Sequence, residues 1–380
     1  MSTFAECTPL ELEQAVRRGD EVVLLDVRGA AESARWHVPL PAGTLVVAEA
    51  EDLERSTREM VSALGLEGAT VHVICRRGNA SRRVSEALAS GTGVRPINVR
   101  GGMAAWSRLL TVDLVEHGGP ATIVQLRRES RGCLSYLVAG GDSAIAVDPS
   151  ADPAPYVEVA DALGVRIDAV LDTHVHADHV SGAAALSSLT GAARLAPMAA
   201  LLRGVPTEDV ELLLPGRLRV GDADVRVLEL PGHTTDNVGL LVDGCALIAG
   251  DSLFEQGVAR PDLERGADGA AEGARGLHTT IHERILSLGS RVRLLPAHYA
   301  GGRRTRPVAP RLGSVQRSQW LLSLDADAFV AQVLRAMPER PANHESIIAA
   351  NLAARCSDGP AGAVTFAAAL EQGGNSCAAG

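Results

Sequence analysis

The sequence contains no lysine; all 36 of its basic residues are arginine, a bias that fits a GC-rich genome better than any function. Positive charge is also outnumbered. Against 46 acidic side chains the formal net charge is −10, which gives no reason to expect nucleic acid or an anionic membrane as a partner. No apolar run reaches the ~18 residues a membrane helix needs; the longest candidate, residues 238–250, is broken by Asp243. The opening Met1-Ser2-Thr3-Phe4-Ala5-Glu6 has neither a basic nor an apolar region, so no secretory signal is expected. The six cysteines (7, 75, 133, 245, 356 and 377) form no CxxC pair, which fits reduced thiols in a cytoplasm better than a disulfide framework. What remains is a globular, soluble chain of 380 residues, 46% hydrophobic and 22% charged, long enough for two or three domains.

The richest stretch runs from Thr173 to Gly182. Within it His174, His176, Asp178 and His179 put three imidazoles and a carboxylate into six positions. An apolar run, 167–171, reads as a buried strand before it, and 183–189 reads as a helix after it. Imidazole with carboxylate suits Zn, Fe or Mn, and the absence of Cys from the cluster argues against a closed structural zinc site. Three later fragments each follow a short β pattern: Pro231-Gly232-His233-Thr234, Gly250-Asp251-Ser252 and Pro296-Ala297-His298. Ligands delivered from several strand ends to one sheet edge would complete a metal site.

A second centre lies nearer the N-terminus. Helical patterns at 8–18, 51–64 and 84–89 alternate with buried strands at 22–26, 71–74 and 96–99, which predicts a small parallel α/β domain. Strand 71–74 ends directly at Cys75, and Cys75-Arg76-Arg77-Gly78-Asn79-Ala80-Ser81-Arg82 runs into the last helix. Backbone N–H groups in such a loop, with Arg76, Arg77 and Arg82, would favour thiolate over thiol and hold an anionic substrate. A cysteine phosphatase would need Arg six positions after the cysteine, and Ser81 stands there.

Leu25-Asp26-Val27-Arg28, His37-Val38-Pro39, the Cys75–Ser81 loop and Gly101-Gly102-Met103-Ala104-Ala105-Trp106 resemble a single rhodanese domain over about residues 1–110. The resemblance implies that Cys75 carries a persulfide, with Arg76, Arg77, Gly78, Asn79, Ala80 and Ser81 around the substrate. The segment Trp36-His37-Val38-Pro39-Leu40-Pro41 departs from the family pattern without removing a catalytic group. The His174 cluster and the three later fragments resemble the metallo-β-lactamase fold, an αββα sandwich, over about residues 120–312. Hydrolases such as glyoxalase II use the full ligand set for two zinc ions. The persulfide dioxygenase branch binds one Fe(II) with two His and one Asp, which fall here on His174, His233 and Asp251. His176, Asp178, His179 and His298 would then stand behind the ligands. Gly257-Val258-Ala259-Arg260-Pro261-Asp262-Leu263 resembles that branch's Gly-Arg-x-Asp-Phe segment, whose Arg binds a carboxylate of glutathione; the role carries over to Arg260. Ala297-His298-Tyr299-Ala300 departs from the branch's Ala-His-Asp-Tyr.

The expected organisation is therefore a rhodanese-like domain at 1–112, a metallo-β-lactamase-fold domain at 118–312, and a helical extension with a flexible tail at 313–380. Residues 111–120 read as a linker. The implied activity oxidises a low-molecular-weight thiol persulfide with dioxygen to sulfite and free thiol, coupled to sulfur transfer from thiosulfate or to sulfite through Cys75. The alternative is a two-zinc thioester hydrolase. The partners are small molecules, and the reading leaves room for a homo-oligomer. Three further features are read as structural. His278 and His282 form a solvated helix face, Cys133 and Cys245 are core residues, and 301–306 is a basic solvated loop or a lid over an anionic substrate.

Overall fold

The computed structural model describes residues 4–299, 306–371 and 378–379. The chain divides into two compact units. The first holds residues up to 111, together with 128–131. Its sheet is built from five strands, β1 (Ala5–Cys7), β2 (Val23–Asp26), β3 (Thr44–Val47), β4 (Thr70–Ile74) and β5 (Arg95–Val99), in the order β1-β5-β4-β2-β3. All four pairings are parallel. Both faces are covered: Leu25, Val71 and Val73 pack with Val84 and Leu88 on one side, Leu24 and Ile74 with Leu12, Met103 and Trp106 on the other. This is why the strands are apolar throughout instead of alternating. Thr8 and Glu11 cap helix Pro9–Arg17 reciprocally. The helical pattern at 51–64 is two helices, Ala50–Arg55 and Thr57–Ala63, because Ser56 leaves the helical region at φ −135°.

The second unit is a sandwich. One sheet has seven strands, β6 (Leu110–Val115), β7 (Thr122–Arg128), β8 (Cys133–Gly140), β9 (Ser143–Val147), β10 (Arg166–Leu171), β11 (Ala193–Pro197) and β12 (Glu211–Leu213), running in sequence across the sheet. The facing sheet contains β13 (Gly216–Val220), β14 (Ala223–Glu229), β15 (Val238–Val242) and β16 (Ala246–Ile248). Between β16 and the last strand of that sheet lies a small hairpin, β17 (Leu253–Phe254) and β18 (Gly257–Ala259), and then β19 (Arg293–Leu295) pairs parallel to β16. Ile123, Tyr136, Ile145 and Leu171 from one sheet meet Val225, Leu240, Ile248 and Leu295 from the other in a dry core. The back of the second sheet is covered by helices Gly266–Thr279, Leu312–Ser318 and Ala326–Ala336 through Leu277, Val315 and Phe329. The architecture is αββα with a helical C-terminal extension, as the sequence implied.

Several expectations are corrected. The stretch read as a linker contains β6, an edge strand of the large sheet, with Leu110, Thr111 and Val115 buried; the Gly118-Gly119-Pro120 signal belongs only to the turn after it. Much of the stretch read as a flexible tail is helix, since helix Gly359–Leu370 follows helix His344–Ala353. Its alanine-rich composition hid a helix that packs against helix Ala183–Thr190. His278 and His282 are half-buried, 4.3 Å apart between ring centroids, and His278 stacks edge-on to Phe329 at 5.2 Å. Cys245 sits half-exposed in the β15–β16 turn and is not core. None of the five described cysteines is in a disulfide. The stretch 300–305, which carries most of the basic loop, lies outside the described residues. No helix is long and apolar enough to cross a membrane among those described.

Candidate metal centre and cysteine loop

Every residue of the expected metal set leaves the end of a strand at one edge of the sandwich. His174, His176, Asp178 and His179 follow β10, His233 follows β14, Asp251 follows β16 and His298 follows β19. All seven side chains are buried, none more than 5% exposed. One ligand atom each from His174, His233 and Asp251 lies within 4.8 Å of the other two. Asp251 Oδ2 stands 3.5 Å from His233 Nε2 and 3.9 Å from His174 Nε2, spacings that a metal with ligand bonds of about 2.0–2.2 Å would span.

The tautomers are fixed from behind. Thr173 donates its hydroxyl to Asp148 Oδ2 at 3.0 Å, so its oxygen accepts from His174 Nδ1–H at 3.0 Å. His233 Nδ1–H donates to the Arg260 carbonyl at 2.6 Å. With Nδ1 engaged in this way, both imidazoles turn Nε2 towards Asp251, the arrangement that metal-bound histidines need. Burial, with His176 and His233 alongside, holds His174 well below the ordinary histidine range, so it stays neutral. Among the described residues, His174 Nε2 and Asp251 Oδ2 have no hydrogen-bond partner. Buried polar atoms left in that condition cost about 1–3 kcal/mol each, and a cation between them removes the cost. The residues fit a metal.

The remaining members surround this trio. His176 Nε2 meets Asp148 Oδ1 at 3.0 Å, and its Nδ1 lies 3.8 Å from Asp178 Oδ1. Burial opposes its charge, but Asp148, Asp172 and Asp178 raise its pKa to about 9. His298 Nε2 lies 3.3 Å from Asp251 Oδ1 and 3.4 Å from Asp178 Oδ2. Burial works against that imidazolium too, yet the two carboxylates hold it well above the ordinary range. Cys133, Asp178 and His179 form a second ligand-type group, and His298 lies between its Asp178 and the Asp251 of the first.

The cysteine loop is built differently. Cys75 directly follows β4 and is 4% exposed. Gly78, at φ +90°, turns the chain into helix Asn79–Ala89, and its N–H donates to Cys75 Sγ at 3.0 Å. The loop is held from below: Met103 N–H donates to the Cys75 carbonyl at 2.8 Å and Ala104 N–H to the Arg76 carbonyl at 2.9 Å. That approach requires Gly102, where a Cβ would sit 2.2 Å from the Cys75 oxygen. Burial raises the Cys75 pKa, but hydrogen bonds from the Ser81 hydroxyl and from the N–H groups of Ser81, Arg77 and Gly78 outweigh it, so the net shift is downward. The single Ser81 proton has other takers, Asn98 Oδ1 at 2.7 Å and the Gly78 carbonyl at 3.2 Å; a thiolate, as a charged acceptor, competes well with both.

Residues 8–109 match the rhodanese-like domain and residues 129–300 match the metallo-beta-lactamase superfamily. The chain joins a rhodanese-like domain to a metallo-β-lactamase-fold domain. Among curated relatives, a hydroxyacylglutathione hydrolase of Acidiphilium cryptum is 40% identical over 126 residues, covering 33% of this chain and 51% of its own. The human mitochondrial persulfide dioxygenase ETHE1 is 28% identical over 198 residues, 50% of this chain and 74% of its own. The chain spans about half the length of the hydrolases it matches. Among solved structures, a metallo-beta-lactamase of Staphylococcus aureus aligns with a TM-score of 0.56 at 24% identity, over 62% of this chain and 73% of that one. ETHE1 of Myxococcus xanthus aligns with a TM-score of 0.53 at 24% identity, over 60% and 97%. Both share the metallo-β-lactamase fold.

In the rhodanese-like domain the arginine side chains of the loop stand outside the immediate shell of the Cys75 sulfur. Arg76 pairs with Glu32 at 2.5 Å, Arg82 lies 3.6 Å from Glu86, and Arg77 and Asn79 face solvent. The sequence reading gave Arg76, Arg77 and Arg82 a share in favouring the thiolate; amides and Ser81 do that here.

In the metallo-β-lactamase-fold domain the clearest departure is Arg260. Its guanidinium is 1% exposed and donates to Asp262 Oδ1 at 2.7 Å and Oδ2 at 3.2 Å, to the Pro338 carbonyl at 2.9 Å and to the Glu339 carbonyl at 3.1 Å. The carboxylate clamp expected for a substrate is filled by the chain's own Asp262, which Arg340 also approaches at 2.7 Å. Cys133, read as core, is buried but belongs to the second group, its thiol donating to Asp178 Oδ2 at 3.5 Å. Asp148 was missed, although an Asp directly after strand β9 and before Pro149 was a usable signal. It holds φ +52°, takes the Thr173 N–H at 2.6 Å and bonds His176; strain kept at such a place marks a constrained site. Asp236, which takes the Val175 N–H at 2.8 Å and pairs with Arg203, was missed as well.

Proposed function

We propose that the protein is a persulfide dioxygenase that receives sulfane sulfur through its rhodanese-like domain. The observation that carries this reading is the His174–His233–Asp251 group, two imidazoles and a carboxylate within 4.8 Å, on the same chain as a cysteine whose pKa is lowered. Two His and one carboxylate with open positions is the donor set of non-haem Fe(II) oxygenases. The match to the human persulfide dioxygenase extends over more of both chains than the hydrolase matches do.

Cys75 thiolate attacks the outer sulfur of thiosulfate, forming a Cys75 persulfide and releasing sulfite. A thiolate such as that of glutathione then takes the outer sulfur and restores Cys75. At the metal centre RSSH, dioxygen and water give RSH, sulfite and two protons, so the sulfane sulfur is oxidised and dioxygen reduced. A bound Fe(II) would pass electrons from sulfur to dioxygen and offer the open positions that bring the two reactants together. His233 and His174, locked by the Arg260 carbonyl and Thr173, would present Nε2 to it; His298, held between Asp251 and Asp178, is a proton-bearing group beside the site. Having both centres on one chain raises the effective concentration of an unstable persulfide.

A second reading, two-zinc thioester hydrolysis, is favoured by the second ligand group around Asp178 and by hydroxyacylglutathione hydrolases at up to 40% identity. Dioxygen uptake by anaerobically purified protein given glutathione persulfide, with metal content of the same sample, separates them. The dioxygenase reading expects persulfide-dependent uptake, sulfite, and about one iron per chain. No uptake, with about two zinc per chain and thioester cleavage, would replace it by the hydrolase.

A further inference from the structure

The metal loop is gripped from outside by the C-terminal extension. On the loop, the ligand side chains point inward while Val175, Ala177 and Val180 point out. Ile348 and Leu352 of helix His344–Ala353 pack on the apolar cluster that holds Val175, and Ile348 also on the one that holds Ala177. Val180 packs with Ala363, Ala367 and Leu370 of helix Gly359–Leu370. Between these apolar contacts stands one polar side chain, Asn351, 6% exposed. Its Nδ2 donates to the carbonyls of His176 and His179, each at 2.9 Å, and its Oδ1 accepts the Ser181 N–H at 2.9 Å. Glu371 takes the neighbouring N–H of Val180.

We propose that Asn351 is a positioning residue of the metal centre, and that docking of the extension is thereby coupled to metal binding. The chemistry is specific to a carboxamide. Two carbonyls and one N–H of a tight loop need two donors and one acceptor in a plane, which Asn supplies in a single group. The carbonyls belong to His176 and His179 themselves, so a shift in the amide moves two imidazoles. An isolated His-rich loop would be free to turn its carbonyls to water; with Asn351 in place the backbone has one arrangement. By linkage, whatever fixes the loop for the metal is fixed in turn by the metal.

The proposal rests on the metal reading above, and its test keeps the two apart. The full chain is titrated with Co(II) against a competing chelator, following the visible d–d bands, for wild type, Asn351→Leu, Asn351→Asp and Ser346→Ala on the exposed side of the same helix. Leu preserves volume and removes all three bonds; Asp keeps the acceptor and sets a carboxylate against two carbonyls. Both should bind Co(II) about 10- to 100-fold more weakly, with altered band positions, while Ser346→Ala matches wild type. Affinity and bands unchanged in a folded Asn351 variant would overturn the proposal and leave the metal centre standing. Failure of wild type itself to bind Co(II), Fe(II) or Zn(II) would overturn both. Should the variants not fold, amide exchange on wild type decides: Co(II) should slow exchange at Ser181 and across residues 344–353, and unchanged exchange there would overturn the coupling.

Discussion

The cysteine loop and the metal loop solve opposite problems. Around Cys75 the backbone holds a side chain: N–H groups of Gly78, Arg77 and Ser81 converge on one sulfur, and the loop's own side chains, Arg76, Arg77 and Asn79, face water. In the metal loop side chains hold a backbone. Asp148 takes Thr173 N–H, Asp236 takes Val175 N–H, Glu371 takes Val180 N–H and Asn351 takes Ser181 N–H, while the loop's own side chains His174, His176, Asp178 and His179 are buried at the candidate metal centre. A nucleophile needs a partial positive field, which amides provide without moving. A metal site needs several heavy side chains in fixed directions, and only contacts from outside can stiffen the chain that bears them.

That contrast can be broken at points of decreasing size. Arg260→Ala removes the partner of a buried carboxylate and two backbone carbonyls. It should cost about 3 kcal/mol of stability, the low end for a broken buried pair because Arg340 still reaches Asp262, read from urea unfolding followed in the metallo-β-lactamase-fold domain. A stable variant that loses only affinity for a carboxylate-bearing thiol would return Arg260 to the substrate. Asp148→Asn keeps the shape of the outer support but weakens its hold on His176 and Thr173. Metal affinity should fall about tenfold while alkylation of Cys75 is untouched; a parallel change in both would deny that the two loops are supported independently. At the cysteine, the iodoacetamide rate against pH should inflect below the ordinary thiol value of 9.0, because the thiolate is favoured and so appears at lower pH. Ser81→Ala should move that inflection upward, and an unchanged profile would assign the whole effect to the amides. Smallest of all, Arg76→Ala should leave the rate within about twofold, since an exposed ion pair at the surface is heavily screened.

The same contrast explains what could be read before any coordinates. The parallel domain, the Cys75 turn and the strand-end histidines are encoded locally: apolar runs of strand length, glycines at 78 and 101–102, and ligand types within a few positions. The reading reached the correct architecture from them. Arg260 was legible as a residue near the centre but not in its contacts, because Asp262 lies only two positions on and its capture of the guanidinium depends on where Pro338 and Glu339 are brought. Asp148 and Asp236 left faint local marks. Asn351 left none; in a run of Ile, Ala and Leu it reads as one polar residue on a helix. Strand β6 was hidden by the turn signals after it, and helix Gly359–Leu370 by a composition rich in Ala and Gly.

The separation between Ser181 and Asn351 is 170 positions, and it gives the molecule a timetable. Synthesis runs from the N-terminus, and domains generally fold as they emerge. The rhodanese-like sheet is complete at Val99, so Cys75 can acquire its shell of amides early. The histidine loop is made next but waits for a brace not yet translated. If Asn351 braces the centre as proposed, metal would load late in the life of the chain: ribosome-stalled products ending before residue 351 should carry a reactive Cys75 and hold Co(II) poorly.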